Sequence, residues 1–242
     1  MIFKKFLYKV LIFFTKFIPN GLPIPILKGP LKGFKLIAGA AAGSGKGLSI
    51  ILNLSETERL NKVEEIMLKN IICFDVGANI GLYSLLFSKY SKQVYAFEPV
   101  PRNIIFLKRM LKLNKVKNVK IIPFAVSNHN KVSWFKEGDS YATGSLNEKG
   151  DYLIRTISLD TFINKKKIFP DILKIDVEGT EIPVLEGSKN LLLKSHPKII
   201  IEIHGDDIRK KCFTLLKKVD YRHFIPLDAN SIEGAKEFLI TP

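Results

Sequence analysis

Two carboxylates stand where the sequence reads as strand giving way to helix. Phe74-Asp75-Val76-Gly77-Ala78-Asn79-Ile80-Gly81-Leu82 follows one apolar run, and Ala96-Phe97-Glu98-Pro99 closes a second. Glycines at a strand-to-helix turn let the backbone approach a ligand closely. Asn79 stands between Gly77 and Gly81, and Asn tolerates a left-handed backbone better than most residues with a side chain. The spacing is not the GxGxxG of dinucleotide-binding turns. Asp75 would repel a pyrophosphate and suits a cationic ligand. S-adenosylmethionine carries an ammonium and a sulfonium and no phosphate. Glu98 offers two acceptor oxygens, one for each ribose hydroxyl. Taken singly, either acid reads equally well as a solvated carboxylate at a strand end.

A second group follows in Lys174-Ile175-Asp176-Val177-Glu178-Gly179 and in Glu202-Ile203-His204-Gly205. Period-two alternation predicts Asp176 and Glu178 on one side of a strand, and Glu202 and His204 likewise. One of Asp176, Glu178 and His204 could take a proton from an acceptor hydroxyl, and an imidazole titrates near the pH this needs. The same three could bind a divalent metal, since oxygen and imidazole ligands suit several ions; the residues leave the metal open. A hydrogen-bonded structural histidine is an equal reading of His204. Lys174 and Glu181 read as ion-paired or solvated groups. Trp134, Tyr141 and Ser145 either line a substrate pocket or pack a hairpin. His129, His196 and His223 show no partner pattern.

These residues need a frame. Apolar runs predict strands over 71–76, 93–97, 119–126, 170–176 and 198–204, with last strands over 221–225 and 237–241. Helical patterns fall over 80–90, 102–114, 182–194 and 207–218. Strand-length apolar runs separated by helices predict a parallel sheet covered on both faces. Between the third and fourth strands, 131–135 and 152–158 read as a hairpin or added strands. Ahead of the sheet, residues 1–69 predict an N-terminal extension: a basic amphipathic helix over 1–18, a Pro/Gly-rich connector with a short strand over 33–38, and a cap helix over 55–69 opened by a Ser55–Glu58 capping box. Residues 70–242 form the second unit. The run Gly43-Ser44-Gly45-Lys46-Gly47 fails the P-loop pattern in spacing and lacks its Ser or Thr; it reads as a loop.

DVGANIGLYS, VYAFEPVPRN, FAVSN, LKIDVEGTEIPVLEGS and HPKIIIEIHG, in this order, resemble the FkbM family of S-adenosylmethionine-dependent methyltransferases. The resemblance runs from about Ile71 to Gly205. It implies a Rossmann-like class I methyltransferase fold, a mostly parallel seven-stranded sheet whose last strand is antiparallel. It also implies O-methylation of sugars, polyketides or similar small molecules. Cofactor contacts are then expected at Asp75, Gly77, Asn79, Gly81, Glu98 and Ser127, with catalysis at Asp176, Glu178 and His204.

The chain has 242 residues, 46% of them hydrophobic and 25% charged, which excludes a disordered or collagen-like protein. Its two cysteines, Cys73 and Cys212, exclude a disulfide scaffold and a zinc finger and point to a reducing, cytoplasmic setting. The net charge of +15 attracts polyanions, though its lysines are spread along the chain. Residues 1–18 place Lys5, Lys9 and Lys16 opposite a phenylalanine-rich face, which fits docking on the anionic inner membrane surface or packing on protein. A nucleic-acid methyltransferase is the alternative that the charge suggests. Against it, the fourth strand ends in IDVEG and not in the Pro-Pro-aromatic turn that holds a base amino group. A non-catalytic binding protein on the same fold is the third reading. The acceptor and the oligomeric state stay open.

Overall fold

The computed structural model describes residues 18–40, 57–138 and 144–242. The expected amphipathic helix, save its last residue, the 43–47 loop, the Ser55 cap and Tyr141 lie outside these residues. A small antiparallel hairpin, β1 (Pro23–Pro25) and β2 (Lys35–Ile37), opens the described chain. The cap helix α1 spans Thr57–Glu65.

The central sheet has β3 (Ile71–Val76), β4 (Ser91–Phe97), β5 (Val119–Ile122), β10 (Ile172–Ile175), β11 (Lys198–Glu202), β12 (His223–Pro226) and β13 (Glu237–Thr241). Their spatial order is β12-β13-β11-β10-β3-β4-β5. Five neighbouring strands, β5 to β11 in that order, run parallel, and β13 runs antiparallel to both β11 and β12. The sheet is therefore mixed, with its last strand reversed as the resemblance implies. From β3 the chain moves outward to β4 and β5, then crosses back to β10 on the other side of β3. A crevice opens at the carboxyl ends of strands where the order reverses in this way.

Strand alternation divides the core into two layers. Cys73, Val94, Ala96, Ile172 and Ile200 face one layer, with Leu60 and Val63 of α1, Leu85 and Leu86 of α2 (Leu82–Ser88), and Leu107 and Met110 of α3 (Pro101–Leu113). Phe74, Tyr95, Phe97, Leu173 and Ile199 face the other. Against them pack α4 (Leu159–Lys166), α5 (Glu181–Glu186), α6 (Lys189–Ser195) and α7 (Asp206–Lys217). Residues Ile26, Leu31, Leu36 and Ile37 join the first layer. Asn114 fastens that segment by accepting from the Lys35 N–H at 2.7 Å and donating to its carbonyl at 2.9 Å.

Four expectations are corrected. The third strand, expected over 119–126, breaks at Pro123, which has no N–H for a ladder. β5 ends at Ile122, and β6 (Ala125–Val126) leaves to pair with β9 (Tyr152–Ile157). With β7 (Val132–Glu137) and β8 (Gly144–Asn147) these form a separate sheet, ordered β6-β9-β7-β8. The helix α4 was not expected; Ser158 starts it by accepting from the Thr161 N–H at 3.1 Å. The helix expected over 182–194 is two helices. Asp160 of α4 caps the second, accepting from the N–H groups of Asn190 and Leu191 at 3.0 and 2.8 Å. The fourth and fifth strands stop at Ile175 and Glu202, so Asp176, Glu178 and His204 lie in loops where period-two alternation no longer orders them. Among the described residues no helix is long and apolar enough to cross a bilayer.

Phe74 ties the second layer together. Its ring meets Tyr95, Phe97 and Phe162 edge-on, with centroids 5.4, 5.5 and 5.5 Å apart. Phe74→Ala should cost about 3–5 kcal/mol of folding stability, read from urea unfolding curves. A loss below about 1 kcal/mol, the scale of an edge-to-face pair alone, would show that this cluster does not hold α4 to the sheet.

Candidate active site

The turn after β3 is built on three left-handed residues: Gly77 at φ 77°, Asn79 at φ 51° and Gly81 at φ 95°. A Cβ on Gly77 would stand 1.8 Å from the backbone carbonyl oxygen of Asp176. Only glycine lets the two loops on either side of the crevice touch. The N–H groups of Gly77 and Ala78 both donate to the Phe97 carbonyl at 3.0 Å. Asn79 donates its N–H to Glu98 Oε2 at 2.7 Å. Glu98 Oε1 accepts from the Val100 N–H at 2.9 Å and from Asn103 Nδ2 at 3.3 Å. Glu98 is buried, and burial pushes its carboxyl above the usual range against the pull of these bonds. In this state it clasps the glycine loop to the end of β4.

Asp75 does not stand on the face of the crevice, where a direct contact with a cationic ligand would need it. It is fully buried beneath the loop. Oδ2 accepts from Ser84 Oγ at 2.6 Å, and Oδ1 lies 3.8 Å from Lys174 Nζ, with no hydrogen-bond partner among the described residues. The same ammonium lies 2.9 Å from Asp176 Oδ2 and 4.8 Å from the centroid of the Tyr83 ring. Burial works against charge on Lys174, but Asp176 and Asp75 outweigh it and hold the ammonium above its usual range. Asp176 feels burial too, and Lys174 overcomes it, keeping this carboxyl below its usual range. Asp75 is pushed up by burial. Lys174 is thus the ion-paired group that the sequence suggested.

His204 is held from behind. Its Nδ1–H donates to Oε1 of the fully buried Glu181 at 2.7 Å, and its backbone N–H reaches the same oxygen at 3.2 Å. Nε2 faces outward, 3.4 Å from Glu178 Oε2 and 3.9 Å from Glu202 Oε1. The bond to Glu181 is the main reason that the imidazole pKa rises to about 9; burial opposes it and the Glu178 charge adds to it. Glu178 and Glu202 are both raised, chiefly by burial. On the far side α1 brings Arg59 to the cluster, with Nη1 3.5 Å from Glu202 Oε2 and Nε 3.4 Å from Glu237 Oε2. Tyr83 Oη donates to the other oxygen of Glu237, whose carboxyl burial lifts to about 7.

The structure therefore gathers Gly77, Asn79, Gly81 and Glu98 around one loop, with Asp75 beneath it, and Asp176, Glu178 and His204 around the next. Ser127 stands apart. It is buried after β6, donates its N–H to the Ile157 carbonyl at 3.1 Å, and packs its own carbonyl where a Cβ on Gly187 would fall at 2.1 Å. Trp134 lies on the face of β7 opposite the buried Phe135, across from Leu153, and is 42% exposed. Glu181 is the ion-paired group that the sequence suggested, though its partner His204 was not foreseen, and Glu237 and Arg59 were not singled out. Glu181 opens α5 three residues after Glu178 in the loop; Arg59 and Glu237 meet only through the tertiary fold. Among the described residues no group of three His, Cys, Asp or Glu side chains is arranged to hold a metal ion.

A family model described as the methyltransferase FkbM domain matches residues 75–224. The hexuronic acid methyltransferase AglP of Haloferax volcanii is 31% identical over 139 residues, covering 55% of this chain and 56% of that protein. The chain thus spans about half the length of that relative. Among solved structures, a methyltransferase FkbM from Methylobacillus flagellatus superposes with a TM-score of 0.54 at 17% identity, covering 72% of this chain and 44% of the other. A ribosomal protein L11 methylase from Lactobacillus delbrueckii subsp. bulgaricus gives 0.51 at 13% identity, covering 76% of each. Those two likenesses are of fold.

The pKa of His204 gives a test that needs no substrate. Its imidazole should titrate near pH 9 by NMR, and Glu181→Gln should bring the midpoint down toward the ordinary value of about 6.5. A folded-state pKa raised above the unfolded one stabilises fully below about pH 6.5 and is lost as pH rises through the folded value. Wild type should therefore lose stability toward pH 9 more steeply than the variant. A midpoint that Glu181→Gln leaves in place would take Glu181 out of this role.

Proposed function

Because the chain belongs to the FkbM methyltransferase family, we propose that it transfers a methyl group from S-adenosylmethionine to a hydroxyl of a sugar or glycan. The observation that carries the reading is the glycine loop of β3 closed against the Asp176 carbonyl at the reversal of strand order, with His204 beside it. The donor set suits the cofactor: Asp176, Glu178 and Glu202 are half-buried acids, and the ligand is cationic at its methionine end. Gly77, Asn79 and Gly81 would present backbone to it, with Glu98 behind them. When bound, the cofactor supplies an activated methyl group, so the protein's share is alignment and a proton acceptor.

His204 fits the second task. Glu181 fixes the ring by Nδ1 and leaves Nε2 toward the crevice, where neutral imidazole would take the proton as the acceptor oxygen gains the methyl. With a pKa of about 9, roughly one molecule in a hundred has that form at pH 7. Glu178 and Glu202 stay close enough to stabilise the imidazolium that results. The acids also bear on the acceptor. Sugar hydroxyls find hydrogen-bond acceptors there, whereas an anionic acceptor meets like charge. AglP is named for a hexuronic acid, which supports a carbohydrate; because a hexuronate is itself an anion, the acids of this chain favour a neutral sugar, with a hydroxyl as the site of transfer.

The test is labelled-methyl transfer to a panel of sugars, glycans and RNA across pH. Transfer should go to carbohydrate, and turnover should climb from pH 6 toward pH 9 as His204 loses its proton. His204→Ala should lower turnover by about 10²–10⁴-fold while cofactor binding persists. Label appearing in RNA alone would refute the acceptor class. A rate that levels off below pH 7 would move the proton transfer to a carboxylate such as Glu178.

A further inference from the structure

The inserted sheet has one covered face and one bare one. Phe135 and Ile154 are buried on its inner side, packed with Ala125, Val100 and Tyr152. Its outer side carries the alternate residues of β7 and β9: Val132, Trp134 and Lys136 beside Leu153 and Arg155. Trp134 lies directly across from Leu153, and Val132 from Arg155. An antiparallel sheet with a solvated face usually turns polar residues outward. Here Val132, Trp134 and Leu153 are 56%, 42% and 56% exposed and adjacent. Arg155, whose guanidinium lies 5.0 Å from the centroid of the Phe124 ring, and Lys136 flank them. No carboxylate occupies an outward position on either strand. Adjoining Arg155, Lys131 and Lys165 edge an open cleft of about 290 Å³.

We propose that this outer face docks on an anionic lipid surface. An apolar centre with a cationic rim matches the two layers of a bilayer interface: the acyl boundary takes Val132, Trp134 and Leu153, and the headgroup phosphates take Lys136, Arg155, Lys131 and Lys165. Tryptophan is the residue most at home there, apolar in body with one N–H donor. A soluble acidic glycan would satisfy the cations but leave Val132 and Leu153 in water, so the lipid is the better match. The proposal stands independently of the methyl-transfer reading and of residues 1–17.

Trp134 is the protein's single tryptophan, so tryptophan fluorescence, excited on the red edge where the tyrosines do not absorb, reads this face alone. The full chain is titrated with vesicles of phosphatidylcholine, with and without phosphatidylglycerol. Phosphatidylglycerol vesicles should shift the emission to shorter wavelength and shield it from acrylamide, an effect that fades with salt. The double variant Val132→Ser, Leu153→Ser should lose the shield. Lys136→Glu, a surface change that the fold should tolerate, should weaken vesicle binding by about fivefold or more. Co-sedimentation with unshifted emission would place the contact elsewhere and overturn the proposal. So would the absence of binding, or a shift produced by polygalacturonate and not by vesicles.

Discussion

The site depends on one buried cation between two carboxylates. Asp75 and Lys174 sit side by side on neighbouring strands, paired in register, and Asp176 follows one residue past the end of β10. Lys174 is almost wholly buried and Asp75 entirely so. Charges in such a place are costly unless they meet and find hydrogen bonds, and removing one partner strands the other. The cation therefore dictates where both strand ends go. With Asp176 drawn to Lys174, its backbone carbonyl lies against Gly77, and the glycine loop closes over Asp75. Lys174 thus helps to cover Asp75 and to hold the Asp176 loop against the glycine turn.

A second electrostatic arrangement grows on this base. The chain is strongly basic overall, yet the mouth of the crevice gathers Asp176, Glu178, Glu202 and Glu237. Three cations answer them from three directions: Lys174 from the sheet, Arg59 from the cap helix and His204 from the loop after β11. Arg59 matters in this balance because it comes from the segment ahead of the sheet and pairs with acids on two different strands, Glu202 on β11 and Glu237 on β13. The cap helix is thereby tied to the acidic cluster as well as to the core.

Much of this was legible in the chain. Apolar runs placed the central strands, and a carboxylate at each of two strand ends with glycines between them placed the crevice. The left-handed Asn79 between two glycines agrees with the tolerance that asparagine has for that backbone. What was not legible has a common cause: the determining contact is distant in sequence. Asp160 ends one helix and starts another by reaching the N–H groups of Asn190 and Leu191. Gly187 is needed because the Ser127 carbonyl presses on it. Asp75 reads as an exposed acid until Lys174 and Ser84 are seen to cover it. Pro123 is the exception. It did mark the end of β5, and the apolar residues on both sides of it masked the break.

In the proposed reading, the glycine loop clasped to Asp176 is the centre of the cofactor site. A calorimetric titration of the full chain with S-adenosylmethionine, set beside Gly77→Ala and beside titration with NAD, tests it directly. Saturable binding of S-adenosylmethionine by the wild type, its loss in a Gly77→Ala protein that still melts cooperatively, and no heat with NAD are the expected result. Binding of NAD in its place, or unchanged affinity for S-adenosylmethionine in Gly77→Ala, would contradict it.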